Sequence, residues 1–260
     1  MAHTLTRIRE KAAITSLTHM GGDTYILSFD SPAIASRALP GQFVNIKVDE
    51  STSPLLRRPF SISRIHGTNV EILFLKIGLA TTVMADRRPG DTLDIIGPLG
   101  NAFHYDIQCD TAILVAGGVG VAPMPFLTQY LDKTAKTIMT YLGARSKENL
   151  YTNHLRNIHV ATDDGSQGYH GTVIDLLRDE LKSAPAGRVQ IYACGPTPML
   201  KALSVFAHES GIPSEASLEG EMGCGIGLCQ GCPVEIAGDE KKYQLVCHEG
   251  TVFSLTSIRL

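Results

Sequence analysis

The sequence predicts an antiparallel β-barrel, followed by an α/β domain and a small cysteine-rich domain. Three observations support this organisation. Short apolar segments separated by turn residues fill the first part of the chain, strand-like and helix-like segments alternate in the middle, and glycine and cysteine dominate the end. We expect the three domains to span residues 1–101, 102–212 and 213–260.

The barrel prediction rests on five short segments between residues 24 and 98, with the sequences TYILSF, QFVNIKV, PFSISRI, VEILFLKI and TLDII. Proline and glycine, as at Pro40 and Gly41, separate these segments, because proline presets φ and glycine permits a positive φ. Evenly spaced short strands with small apolar faces are typical of closed antiparallel barrels.

The α/β prediction rests on alternation beyond residue 101. The segments TAILVAGG, TIMTYLGA and RVQIYACG have the continuous apolar character of buried strands. The segments APMPFLTQYLDKT, HGTVIDLLRDELKS and TPMLKALSVFAHESG have helical periodicity. Strands that alternate with helices predict a parallel sheet with crossover helices.

Four of the six cysteines, Cys224, Cys229, Cys232 and Cys247, follow the spacing C-x4-C-x2-C-x14-C, whereas Cys109 and Cys194 stand alone. This spacing matches the pattern of plant-type [2Fe–2S] proteins. The glycines between the cysteines let the backbone approach a compact cluster and turn its amides toward the sulfurs. A structural zinc site or reduced structural thiols are the alternatives, but zinc sites typically have two short C-x2-C pairs and this chain has one.

Two segments of the predicted barrel are candidates for a flavin site. An arginine offers a planar fork to a pyrophosphate, and a serine hydroxyl can hydrogen-bond the flavin ring. The candidates of the first segment are Arg58, Pro59, Phe60 and Ser61. The second segment would supply another wall and pyrophosphate donors near a helix start, and its candidates are Leu75, Lys76, Ile77, Thr81 and Thr82. Alone, these segments equally fit an ordinary strand and a polar helix cap.

Two glycine turns are candidates for a nicotinamide nucleotide site. Gly117, Gly118 and Gly120 follow a predicted strand and precede a predicted helix, where backbone amides can approach a pyrophosphate. Cys194 and Gly195 form the second turn, and we expect the two turns to flank one crevice. The Rossmann pattern is incomplete, because a proline replaces the third glycine and no acid follows about 20 residues on. The sequence leaves NAD and NADP open.

In this order, the segments RPFS, GGVGVAP, CGPTPM and the four cysteines resemble the ferredoxin–NADP reductase superfamily with an iron–sulfur extension. Within it, LRRPFSI, GPLGN, YLGARSKENL, YACGPTPML, LEGEMGCGIGLCQGC and YQLVCHEGTVF are similar to the electron-transfer subunits of bacterial NAD-dependent dihydroorotate dehydrogenase. The resemblance covers nearly the whole chain. One departure concerns the second flavin segment, where relatives often carry a glycine–threonine pair and this chain has Thr81 and Thr82.

The resemblance implies FAD in the barrel, NAD on the α/β domain and a [2Fe–2S] cluster held by the four cysteines. It also implies a partner, an FMN-containing catalytic subunit that oxidises dihydroorotate, in a heterotetramer with two copies of each subunit. Electrons would pass from that FMN through the cluster and FAD to NAD⁺, and no side chain of this chain is expected to act as a catalytic acid or base.

Two other functions stay open from the sequence. One is a reductase subunit for a ferredoxin, sulfide or sulfite system built on the same superfamily. The other is a non-enzymatic redox or zinc-binding module, which colour distinguishes, because a zinc protein is colourless while flavin and cluster absorb visible light.

The composition disfavours two further classes of protein, those that bind nucleic acid and those that insert into a membrane. The net charge of −3 and the scattered basic residues disfavour nucleic acid as a partner. No apolar segment approaches the ~18 residues of a membrane span, so we expect no membrane insertion and a cytoplasmic location.

Overall fold

The computed structural model describes residues 7–183, 187–238 and 242–260. Six antiparallel strands form a closed barrel in the order β1-β2-β5-β4-β3-β6. They are β1 (Ile8–Gly21), β2 (Thr24–Asp30), β3 (Phe43–Lys47), β4 (Arg58–His66), β5 (Asn69–Leu75) and β6 (Thr92–Leu99). Two short helices, α1 (Pro32–Ala35) and α2 (Leu79–Ala85), lie in the connections. The barrel prediction is confirmed.

The first strand of the barrel is absent from the prediction, which begins at Thr24. In β1 only Ala12 and Ile14 are fully buried, and most of the other positions carry charged, small or hydroxyl side chains. A strand that pairs along its length with β2 and β6 gains backbone hydrogen bonds without a long apolar stripe. Apolar alternation alone therefore misses this strand.

The middle of the chain forms a seven-stranded sheet in the order β10-β9-β8-β7-β11-β12-β15. Its strands are β7 (Thr111–Gly117), β8 (Thr137–Ala144), β9 (Ile158–Thr162), β10 (Tyr169–His170), β11 (Val189–Cys194), β12 (Ser214–Ser217) and β15 (Val252–Ser254). The helices are α3 (Met124–Leu131), α4 (Val173–Glu180) and α5 (Thr197–Ser210). The first six strands are parallel, which confirms the predicted α/β architecture.

The end of the chain adds a three-stranded sheet, β14-β13-β16, built from β13 (Pro233–Ile236), β14 (Tyr243–Leu245) and β16 (Ile258–Arg259). Two other strands from this end of the chain, β12 and β15, belong instead to the large sheet. The strand β12 pairs with β11, and β15 pairs antiparallel with β12. The boundary expected after residue 212 stays a prediction, and strands on its C-terminal side complete the α/β sheet.

The barrel and the end of the chain are joined by hydrogen bonds. The Asn101 amide donates to the Val252 carbonyl and accepts from the Val252 N–H, both at 2.7 Å. The Thr251 hydroxyl donates to the Gly41 carbonyl at 2.6 Å. These contacts join the segment that follows the last cysteine, at Thr251 and Val252, to the barrel. None of the described helices is long and apolar enough to cross a membrane.

Candidate functional site

A cavity of about 270 Å³ lies where the barrel, the α/β domain and the cysteine-rich segment meet. The barrel lines it with Phe43, Pro59, Phe60, Ser61, Leu73, Phe74, Leu75, Ile77 and Thr81. The α/β domain contributes Val119, Ala122, Ser217 and Leu218, and the segment leading to the cysteines contributes Glu219, Gly220 and Met222. Thr251 completes the wall. Three separately predicted regions therefore share one cavity, which we call the central cavity.

Six of the nine flavin candidates line the central cavity, namely Pro59, Phe60, Ser61, Leu75, Ile77 and Thr81. The Ser61 hydroxyl has no hydrogen-bond partner among the residues that the structure describes, and most of the residues that line the cavity with it are apolar. Phe60 is 9% exposed and also packs against Phe74 in the barrel core, with ring centroids 6.0 Å apart. An apolar cavity with one unpaired hydroxyl fits a flat ring system that has polar edges.

Two adjacent arginines have different surroundings. Arg57 bonds the Asp94 carboxylate at 2.8 Å and donates to the Asp94 carbonyl at 2.6 Å. Hydrogen bonds from Arg9 and Arg57 hold the pKa of Asp94 at about 2, against the opposing effect of burial. Within the described part of the chain, Arg58 donates only from Nη1, to the carbonyls of Leu56 and Arg57. The guanidinium of Arg58 therefore keeps donors for an anion, whereas Arg57 secures the barrel.

The segment after β5 begins the short helix α2. The Thr81 hydroxyl accepts from the amides of Ile77 and Gly78, at 3.0 and 3.1 Å, and so caps this helix. The Thr82 amide donates to the Gly78 carbonyl at 2.8 Å. Lys76 points to Asp86, with 3.9 Å between the charged atoms. Arg58, Lys76 and Thr82 are not among the residues that line the central cavity, and their pyrophosphate role stays a prediction.

The two glycine turns lie against each other. A Cβ atom on Gly120 would come within 2.3 Å of the Cys194 carbonyl oxygen and 2.6 Å of the Gly195 Cα. A Cβ on Gly117 would meet the Met199 sulfur at 2.7 Å. Gly118 has a φ of +55°, which favours glycine. Both turns follow neighbouring parallel strands, at the edge of the sheet where α/β proteins bind ligands.

Cys194 is a fully buried thiol at the end of β11. Burial, and secondarily the Glu219 carboxylate, raise its pKa well above the ordinary value. The register between the parallel strands β11 and β12 pairs Cys194 with Ser217. The side chain is therefore a neutral, inert thiol in the wall behind the crevice, and its contact with a nicotinamide stays a prediction.

The four clustered cysteines form two pairs. The sulfurs of Cys232 and Cys247 are 3.2 Å apart. The other pair is Cys224 and Cys229, in which the Cys229 amide donates to the Cys224 sulfur at 3.4 Å. The Gly227 amide connects the pairs by donating to the Cys247 sulfur at 3.2 Å. The structure therefore places the four predicted ligands in one region of the chain, as two pairs.

The loop around the cysteines is shaped for sulfur ligands. The amides of Ile226, Leu228 and Cys229 point to the Cys224 sulfur, at 3.5, 3.3 and 3.4 Å. Although burial opposes them, these backbone hydrogen bonds lower the pKa of Cys224 to about 6. A Cβ on Gly223 or Gly231 would come within 3.2 or 3.4 Å of the Cys229 sulfur. A side chain at either glycine would therefore crowd the Cys229 sulfur.

This arrangement fits a dinuclear cluster. A [2Fe–2S] cluster needs four cysteines for two irons, and the structure supplies two pairs.

Sequence reasoning missed three residues of the site. Met222 and Glu219 line the central cavity, and Glu219 also lines a second cavity of about 200 Å³ that reaches Cys232. Surrounding protein raises the pKa of the Glu219 carboxyl by desolvation, although the side chain is exposed on its cavity side. The third is Asn45, a buried amide within the apolar strand β3, and a polar residue at such a position is the signal that could have found it.

Two family profiles match the chain. The iron-sulfur cluster binding domain of dihydroorotate dehydrogenase B matches residues 219–259, a range that contains the four clustered cysteines. The oxidoreductase NAD-binding domain matches residues 114–204, which include both glycine turns.

Relatives match over nearly their full length. The dihydroorotate dehydrogenase B (NAD(+)) electron transfer subunit of Desulforamulus reducens is 37% identical over 251 residues, or 93% of this chain and 95% of the relative. The corresponding subunit of Geobacillus kaustophilus is 38% identical over 254 residues, or 94% of this chain and 96% of the relative.

Solved structures have the same fold. An NADH-dependent reduced ferredoxin–NADP oxidoreductase superposes with a TM-score of 0.84 at 28% identity, covering 95% of this chain and 89% of that chain. The ferredoxin reductase of a carbazole 1,9a-dioxygenase has a TM-score of 0.66 at 18% identity, covering 81% and 68%. The ferredoxin reductase-like fold is confirmed.

Proposed function

This chain belongs to the electron transfer subunits of dihydroorotate dehydrogenase B (NAD(+)), and we propose that its central cavity is where electrons pass between cluster, flavin and NAD⁺. It is an oxidoreductase subunit that uses FAD, a [2Fe–2S] cluster and NAD. The alternative of a ferredoxin, sulfide or sulfite reductase subunit is less well supported, because relatives that match nearly the whole chain are dihydroorotate dehydrogenase subunits.

The observation that carries this function is the shared wall of the central cavity. Ser61 of the barrel, Val119 of the first glycine turn and Met222, two positions before the first cysteine, all line it. When bound, a flavin exchanges a hydride with a nicotinamide and single electrons with an iron–sulfur cluster, so it must adjoin both. One cavity that touches the nucleotide turn and the cysteine loop meets this requirement.

The residues around the cavity have separate roles in the proposed site. Apolar side chains of β4 and β5 exclude water from the flavin ring, and the unpaired Ser61 hydroxyl hydrogen-bonds its polar edge. In this proposal Arg58 binds the FAD pyrophosphate, and the guanidinium donors that it does not use within the chain support this role. The amides of the turns at Gly118 and Gly195 bind the NAD pyrophosphate.

In this proposal Cys224, Cys229, Cys232 and Cys247 would hold the cluster. Their arrangement as two pairs, with 3.2 Å between the last two sulfurs and the Cys229 amide donated to Cys224, supports this assignment. Amide donors to the sulfurs stabilise the thiolate charge that the irons require.

As an electron transfer subunit, the chain works with a catalytic partner subunit. We propose that this partner contains FMN, oxidises dihydroorotate and forms a complex with two copies of each subunit, as the family resemblance implies. Leu228 supports a docking site at the cluster, because it is 77% exposed between two cysteines. Because Leu228 and Cys229 are both exposed, burial of this leucine against a partner would stabilise the complex. The cluster then lies at the interface.

A cytoplasmic location is part of the proposal. All six cysteines are free of disulfides in the structure. Free thiols and thiolate-bound clusters persist in reducing compartments, whereas oxidising compartments favour disulfides. Fractionation of the native host cells, with detection of this chain in each fraction, tests the location.

The test of the proposed function compares the isolated chain with the complex under anaerobic conditions. We expect the isolated chain to reduce an artificial dye with NADH but not with dihydroorotate. Addition of the FMN-containing subunit should then allow dihydroorotate to reduce NAD⁺. Dihydroorotate oxidation by the isolated chain would contradict the proposal, and so would failure of the complex to form NADH.

A further inference from the structure

Asn45 is a polar residue at a buried position of the flavin barrel. It is 1% exposed on β3, between Val44 and Ile46, whose side chains pack in the barrel core. Because side chains alternate along a strand, the Asn45 amide points away from that core. It donates from Nδ2 to the carbonyl oxygen of Cys224, the first cysteine of the cluster pattern, at 3.0 Å.

The cysteine loop approaches Asn45 more closely than any side chain would permit. A Cβ atom on Gly225 would lie 2.3 Å from the Asn45 Nδ2. Gly225 also has a φ of +70°, a conformation that other residues rarely adopt. The loop and the strand therefore fit each other at this point, where Cys224 joins Gly225.

Packing alone does not explain an asparagine at this position. Its Oδ1 is buried and has no hydrogen-bond partner within the described part of the chain. A buried polar atom without a partner destabilises a fold, and an apolar side chain of similar size would avoid this cost. Among the described residues, the amide side chain therefore makes a single hydrogen bond, and its partner is the Cys224 carbonyl.

A second donor from the barrel binds the same loop. Arg7, next to the start of β1, donates from Nη1 to the Ile226 carbonyl at 3.1 Å. That carbonyl shares a peptide group with the Gly227 N–H, which donates to the Cys247 sulfur at 3.2 Å. The barrel therefore binds the outward carbonyls of the loop while the loop directs its amides to the sulfurs.

The strand β3 also connects the loop to the central cavity. Phe43 lines that cavity and lies two residues before Asn45, so both side chains leave the same face of the strand. Two residues of extended strand span about 7 Å. A single rigid strand therefore fixes the cysteine loop relative to the cavity.

We propose that Asn45 is a positioning residue for the [2Fe–2S] cluster, which fixes the Cys224–Gly225 peptide against β3 and thereby sets the cluster's reduction potential and its distance from the flavin. The inference rests on the proposed function. Hydrogen bonding and solvent exposure around a cluster tune its potential, and electron transfer weakens steeply with distance.

The test replaces Asn45 in the full chain with leucine, which branches at the same carbon atom but has no donor. The readouts are the electron paramagnetic resonance spectrum of the reduced cluster, its midpoint potential in an anaerobic redox titration, and the rate of cluster reduction relative to flavin reduction after rapid mixing with NADH. We expect Asn45→Leu to alter the spectrum and the potential and to slow cluster reduction by about tenfold relative to flavin reduction.

Asn101→Leu is the matched control, because Asn101 also joins the barrel to the end of the chain but bonds Val252 rather than a cysteine peptide. We expect it to leave the cluster's spectrum and potential unchanged. Asn45→Ser, whose hydroxyl is too short to reach the Cys224 carbonyl, replaces the leucine variant if that variant does not fold.

Wild-type spectrum, potential and relative rate in a folded Asn45 variant would overturn the inference, as would equal changes in Asn101→Leu. A wild-type chain that contains no cluster would instead overturn the proposed function. The two failures are therefore distinguishable.

Discussion

The sulfur atoms of Cys232 and Cys247 lie 3.2 Å apart, although 14 residues separate them in the chain. The intervening segment contains β13 and β14, which pair antiparallel, with Pro233 opposite Leu245. This pairing places Cys232, the residue before β13, near Cys247, which follows the end of β14 by two residues. The last cysteine therefore reaches the loop because a hairpin folds back, and the spacing between these cysteines is a consequence of that hairpin.

Replacement of one cluster ligand should remove the cluster but not the flavin. We expect Cys229→Ser to lower acid-labile sulfide by about tenfold or more, because Cys229 is one of four proposed ligands. The FAD content should stay near that of the wild type, since barrel residues form most of the cavity. Sulfide assay and visible spectra measure both. Cys109→Ser is the control, and an intact cluster in Cys229→Ser would contradict the ligand assignment.

A side chain at Gly120 should separate the two nucleotide turns. We expect Gly120→Ala to destabilise the chain by about 1–3 kcal/mol and to raise the KM for NADH, because its Cβ would lie 2.3 Å from the Cys194 carbonyl oxygen. Urea unfolding and dye-reduction kinetics test this. Gly67→Ala is the control for a methyl group added away from the turns, since no atom lies within 4 Å of the position of its Cβ. An unchanged KM in Gly120→Ala would contradict a nucleotide site at these turns.

The salt bridges of Asp94 predict a pH dependence of stability. The pKa of Asp94 is lowered to about 2, so the ionised carboxylate stabilises the fold above its unfolded pKa of about 3.9. A shift of nearly two units corresponds to about 2.5 kcal/mol. We expect Asp94→Asn to lower the free energy of unfolding by this order at pH 7. The difference should shrink as the pH falls from about 4 toward 2, because the wild-type carboxylate then becomes protonated.

Urea unfolding of both proteins at pH 7 and at pH 3, followed by far-ultraviolet circular dichroism, measures this difference. A deficit in Asp94→Asn that is as large at pH 3 as at pH 7 would show that the carboxylate charge is not its cause.

An acidic residue at the exposed tip of the cysteine loop should weaken assembly. We expect Leu228→Asp to reduce affinity for the FMN-containing subunit by about tenfold or more, because it places a charge in the proposed interface. Sedimentation or calorimetric titration with the partner measures the affinity. Val205→Asp is the control, since Val205 is 54% exposed on α5. Wild-type affinity in Leu228→Asp would exclude docking at this loop.

Several features were predictable because they depend on local chemistry. Cysteine spacing and interspersed glycines predicted the four sulfurs that the structure brings together. The alternation of apolar strands and amphipathic helices predicted the parallel sheet, in which all seven positions of β7 are buried.

The features that were not predictable depend on tertiary context. The strand β12 has the sequence SEAS, yet all four residues are buried in a strand that lies between β11 and β15, although the segment has no apolar pattern of its own. The strand β1 is also largely polar, and its backbone pairs with β6 in its first half and with β2 in its second half. The role of Asn45 depends on its contact with Cys224, which lies 179 residues further along the chain.

The central claim is that NADH, flavin and cluster exchange electrons within this one chain. Its most direct test is electron paramagnetic resonance of the anaerobic full-length chain after addition of NADH. The account predicts a signal from one reduced [2Fe–2S] cluster per chain, together with bleaching of the flavin absorbance. Flavin bleaching without any cluster signal, in protein that contains acid-labile sulfide, would contradict it.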